Sequence, residues 1–154
     1  MTRLTILEYP DPRLRTKASP VASVDAPLRD LIDDMFETMY ENKGIGLAGP
    51  QVGVAKRVIV VDVNDEAGEK LGPYALLNPR VVEFGTDLDK HEEGCLSIPN
   101  VTGVVERIED ISVNASRVVS AVAGLTRVGQ YAGLAAGVKR GVEVFLTRMR
   151  DRHS

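Results

Sequence analysis

Leu28, Leu31, Ile32, Met35, Phe36 and Met39 recur at the i, i+3, i+4, i+7 spacing of a single helical face. This periodicity predicts an amphipathic helix running to about Tyr40, with Asp25 as its N-cap and the apolar stripe as core packing. Upstream, Pro10, Pro12 and Pro20 interrupt residues 1–24, which read as an extended arm wrapping the surface. Downstream, the glycine-rich residues 42–53 end the helix. Residues 57–63, Arg-Val-Ile-Val-Val-Asp-Val, are rich in β-branched side chains and predict a buried strand. A polar loop over 64–73 follows. Strands are then predicted over 74–77 and 80–84, separated by Asn78-Pro79 because proline cannot donate to a central ladder. Residues 101–107 and 111–115 are further strand segments, with Glu109-Asp110 suited to the turn between them. Short strands around one strong helix predict an α+β domain.

The texture changes after Ala115. Residues 116–141 hold five of the chain's 14 glycines and few large apolar residues. Gly129, Gly133, Gly137 and Gly141 stand four apart, which on a helix makes a smooth stripe for close packing or self-association. Each glycine also costs about 1 kcal/mol of helix stability relative to alanine, so this segment needs a tightly packed neighbour. Chance spacing in a Gly/Ala-rich stretch is the alternative. Residues 142–149 recover an ordinary globular texture before a charged tail.

The 154 residues suit one domain spanning 1–154. A formal net charge of -3 supplies no basic field, so nucleic acid is not an expected partner. There is no apolar run of membrane-spanning length, and the first eight residues lack a signal peptide's apolar core and cleavage site. The single cysteine, Cys95, cannot form an internal disulfide, which fits a reducing cytoplasm. It is either a small buried hydrophobe or a reactive or ligating thiol.

Two segments carry chemistry. Residues 44–53 read Gly-Ile-Gly-Leu-Ala-Gly-Pro-Gln-Val-Gly, and residues 93–97 read Glu-Gly-Cys-Leu-Ser. Glycines let a backbone approach a substrate closely, a loop glutamine donates into a cleft, and a thiolate is a strong ligand for Fe²⁺ or Zn²⁺. Together the segments resemble two of the three signature motifs of the peptide deformylases, metallohydrolases that remove the formyl group from the N-terminal formyl-Met of nascent proteins. Leu76-Leu77-Asn78-Pro79 and residues 103–107 strengthen the resemblance, which runs through residues 1–115 and resumes weakly near the C-terminus. It implies a deformylase-like fold, with antiparallel and mixed sheets around a helix and a C-terminal helix that is degenerate or replaced. It also implies Gln51 and the Leu96 amide as the oxyanion site and Cys95 as a ligand of Fe²⁺ or Zn²⁺. Gly44, Ile45, Gly46, Leu47, Glu93 and Gly94 would line the cleft for a nascent formyl-Met peptide. Family members commonly carry alanine where this chain has Gly49, a departure expected to add flexibility.

The third motif is absent. The reaction needs two more metal ligands and a general base, which two histidines one helical turn apart and an intervening glutamate supply. The chain has only His91 and His153, and neither lies in a His-Glu-x-x-His pattern. Where that helix is expected stand Gln130-Tyr131-Ala132-Gly133. In an extended strand His91 and Cys95 lie about 13 Å apart, so a turn would be needed to bring them onto one metal. The expectation is therefore a catalytically deficient member of the family. The alternatives are a non-catalytic peptide-binding or interaction protein on the same scaffold, or a decayed gene copy.

Overall fold

The computed structural model describes residues 3–62, 73–108, 111–115 and 117–120. The arm at the N-terminus leads through a short 3-10 turn, Pro12–Arg15, into helix α1, Ala26–Glu41. Asp25 caps α1 through a 2.9 Å bond in which the Leu28 amide donates to its carboxylate. Asn42 closes the other end, its side-chain amide donating to the Thr38 carbonyl at 2.7 Å. Lys43, at φ 55°, then turns the chain away in the left-handed region.

Eight strands follow among the described residues: β1 (Gly46–Ala48), β2 (Val58–Val61), β3 (Tyr74–Leu77), β4 (Arg80–Phe84), β5 (Leu88–Cys95), β6 (Ile98–Ile108), β7 (Ile111–Asn114) and β8 (Arg117–Ser120). The main sheet has the order β1-β2-β3-β8, with every neighbour antiparallel. Two antiparallel pairs, β4 with β7 and β5 with β6, complete the described sheets, and one isolated parallel bridge joins Ser19 to Lys56. An α+β architecture is thus observed.

The predicted stripe of α1 is its buried face. Leu28, Ile32, Met35, Phe36 and Met39 pack with Leu47, Val58, Val60, Ala75 and Leu77 of the sheet, while Leu31 is half-buried at the margin. All four residues of β2 are fully buried, which explains the near-continuous β-branched run there. Burying a side chain of this size contributes about 1.5–3 kcal/mol, so β2 and the helix stripe anchor the domain.

Several boundaries differ from those predicted. The strand expected over 57–63 is Val58–Val61, and the one expected from residue 101 begins at Ile98. Within the glycine-rich connection β1 forms a short strand, because pairing with β2 outweighs the weak strand preference of glycine and alanine. Past Ala115, residues 117–120 form β8 against β3 and so continue the sheet. The Glu109-Asp110 turn and the stripe of Gly129, Gly133, Gly137 and Gly141 lie outside the described residues, as does His153. Among the described residues, no helix is long and apolar enough to cross a membrane.

Candidate functional site

The two motifs lie 40 residues or more apart in sequence, and α1, the main sheet and the β5–β6 hairpin bring them together. Gly44 follows the end of α1, its amide donating to the Met39 carbonyl at 2.9 Å. A β-carbon at Gly44 would lie 2.6 Å from Leu96 Cδ1, so the missing side chain lets the second motif press against the first. After β1, residues Gly49–Val52 coil into a 3-10 turn that ends at Gly53, φ 78°. Gly49 is buried, and a β-carbon there would stand 2.8 Å from the carbonyl oxygens of both Val54 and Lys56. The glycine therefore serves a close backbone approach, a more constrained role than added flexibility.

Gln51, on this turn, is buried, and three contacts define its carboxamide. The Ala48 amide donates to Gln51 Oε1 at 3.0 Å. Gln51 Nε2 donates to Ser97 Oγ at 3.0 Å and lies 3.8 Å from Cys95 Sγ. A backbone N–H can only donate, so the oxygen of the carboxamide must face Ala48 and the nitrogen must face the second motif.

The second motif closes the β5–β6 hairpin. Gly94 pairs with Thr102 and Cys95 with Ile98, a register shift that places Leu96 and Ser97 in the connecting turn. Cys95 is half-buried, Ser97 is buried, and Leu96 packs against the main core. Arg107 grips Glu93 with both arms of its guanidinium, Nε to Oε1 at 3.0 Å and Nη2 to Oε2 at 2.8 Å. The arm joins both motifs through its backbone: Leu7 N–H donates to the Gln51 carbonyl at 2.7 Å, and Tyr9 N–H to the Ser97 carbonyl at 2.8 Å. Beside Ile45, the Asp62 amide donates to the Ile45 carbonyl, and Tyr40 Oη donates to the Asp62 carboxylate at 2.5 Å. Partial burial, and then the Asp62 carboxylate, push the Tyr40 phenol well above the ordinary tyrosine range.

Of the residues singled out in the sequence, Gln51 and Cys95 meet across the site, and Gly44 and Leu96 pack together. Ile45 is 61% exposed and free to meet a ligand, whereas the Leu47 side chain belongs to the core and Glu93 is held by Arg107. His91 lies on β5 opposite Val105, four strand positions from Cys95. Ser97, Arg107 and the arm amides were not legible as site residues. Ser97 was visible only as the last letter of a motif, and main-chain donors leave no mark in a sequence.

A metal needs several converging donors. Among the described residues no group of three His, Cys, Asp or Glu side chains is placed to hold one. The chain's other histidine, His153, is the second residue from the end of the 154. The described residues therefore supply no such donor set for Fe²⁺ or Zn²⁺.

The sequence model of the family described as polypeptide deformylase matches residues 3–122. A peptide deformylase of Cellvibrio japonicus is 50% identical over 115 residues, covering 75% of this chain and 66% of the relative. The chain spans about two thirds of the length of the curated relatives it matches. Among solved structures, a probable peptide deformylase from Synechococcus phage S-SSM7 is 34% identical at a TM-score of 0.74, covering 95% of this chain and 93% of that one. The peptide deformylase of Ehrlichia chaffeensis in complex with actinonin is 36% identical at a TM-score of 0.77, covering 97% of this chain and 84% of that one.

Proposed function

The chain belongs to the polypeptide deformylase family, and from that premise we propose that it keeps the family's peptide cleft without the chemistry that would cleave a formyl group. The observation that carries this reading is the donor count. Cys95 is the one ligand the resemblance carries over, His91 stands four positions away on the same strand, and no His-Glu-x-x-His pattern occurs in the 154 residues. Among the described residues no group of three His, Cys, Asp or Glu side chains is placed to hold a metal ion.

What the cleft retains is a set of positioned polar and apolar groups. Gln51 Nε2 carries two hydrogens. One is committed to Ser97, and the other faces the weak acceptor Cys95 Sγ, where a peptide carbonyl would be the better partner. The Leu96 amide is the second donor that the resemblance implies. The exposed Ile45 and the Gly44–Leu96 contact form the apolar margin for a methionine side chain. The ligand class is therefore a formylated N-terminal Met peptide, and the compartment is the cytoplasm where such peptides arise.

A second reading, a decayed copy, is favoured by one observation: the match to the family stops at residue 122, within the Gly/Ala/Val-rich stretch. Two measurements decide between them. A deformylation assay on a formyl-Met peptide gives no turnover above a Cys95→Ala control if the proposal holds, and turnover abolished by that substitution overturns it. Thermal unfolding with and without the peptide then gives a single transition raised by ligand for a binder. A decayed copy melts broadly and without response, and its gene carries a His-Glu pattern in another frame across codons 116–141.

A further inference from the structure

We propose that Ser97 is the residue that orients the Gln51 carboxamide, and that the bond between them sets the site's preference for a carbonyl at the peptide N-terminus. This rests on the peptide-cleft reading above and adds a role to a residue outside the ligand and oxyanion assignments.

The terminal torsion of a glutamine is broad, so a carboxamide held at one atom swings freely about that contact. Here it is held at two. The Ala48 amide fixes Oε1 at 3.0 Å, and Ser97 Oγ accepts from Nε2 at 3.0 Å. With one nitrogen hydrogen committed to Ser97, planarity of the amide sends the other into the space before Cys95, whose sulfur lies 3.8 Å away. Ser97 is 5% exposed and Gln51 8%, so water is not at hand to replace either bond. Ser97 is itself anchored, because Tyr9 N–H donates to its carbonyl at 2.8 Å, and Leu7 N–H holds the Gln51 carbonyl in the same way. The arm thus fixes the two main chains relative to each other, and the Gln51–Ser97 bond fixes the side chain between them.

Two readouts separate positioning from mere support. The chain contains two glutamines, Gln51 and Gln130, so selective ¹⁵N-glutamine labelling yields two side-chain NH₂ pairs. In the unaltered protein one Gln51 proton is protected from exchange. Ser97→Ala lowers that protection about tenfold, the scale of one lost neutral hydrogen bond, and Ser97→Thr keeps it. Protection within about twofold of the unaltered protein in Ser97→Ala overturns the proposal, whether or not any peptide binds.

The second readout is affinity for formyl-Met-Ala-Ser against the same peptide with a free amine. Ser97→Ala weakens the formylated peptide about tenfold and leaves the other unchanged, and it adds no further loss in a Gln51→Met background. Equal weakening of both peptides, or additive losses in the double variant, overturns the positioning role. If the unaltered protein binds neither peptide, the cleft reading and the carbonyl preference both fail, and the exchange experiment alone decides the orientation.

Discussion

Substituting Arg107 tests how firmly the β5–β6 hairpin holds the second motif. The Arg107 and Glu93 side chains are 17% and 15% exposed, between a surface pair and a fully buried one. Exposed ion pairs contribute about 0–1 kcal/mol, whereas removing one partner of a buried pair costs about 3–5 kcal/mol because the other charge is stranded. The pair is bidentate. Discounting for the remaining solvent access, Arg107→Ala should cost about 2 kcal/mol, of which about 1 kcal/mol is the stranded Glu93 carboxylate. Urea denaturation of Arg107→Ala, Glu93→Gln and the double variant measures this directly. The double variant should be less destabilised than the sum of the singles by about 1 kcal/mol. That coupling should persist in high salt, because the pair is mostly shielded. A coupling below about 0.3 kcal/mol, or one that disappears in salt, would refute the assignment of this pair as a clamp on the segment preceding Cys95.

Two further outcomes follow from the local chemistry. Asp25→Ala removes the cap bond to Leu28 and should lower stability by about 1 kcal/mol, read as a shift in urea midpoint at unchanged slope, while Asp25→Asn should lose little. For Tyr40, a spectrophotometric titration should show a step above the ordinary tyrosine range that is missing from Tyr40→Phe. Because its folded-state pKa is raised, its contribution to stability is fully present below the ordinary tyrosine range and is lost as pH rises above it. Tyr40→Phe should therefore flatten the alkaline fall in stability, and an unchanged alkaline profile would contradict the Tyr40–Asp62 bond.

The parts of the fold legible in the sequence are those whose signals are local. The α1 stripe, its Asp25 cap and the strands Tyr74–Leu77 and Arg80–Phe84 follow from periodicity, capping chemistry and a proline break, and they stand where those signals placed them. β1 and β8 were not legible, since Gly46-Leu47-Ala48 and the valines before Ser120 become strands only by pairing with β2 and β3. The site divides in the same way. Gln51 and Cys95 stood out through motif and thiol chemistry. Ser97 and the amides of Leu7 and Tyr9 matter through contacts made 44 to 88 residues away, at Gln51 and Ser97, and no local pattern encodes those.

The most direct test of the account is the metal content of the full chain, purified anaerobically and measured by elemental analysis. On the proposed reading, iron and zinc together should amount to less than about 0.1 equivalent per chain after dialysis, unchanged by Cys95→Ala. About one equivalent of either metal, lost in Cys95→Ala, would contradict it.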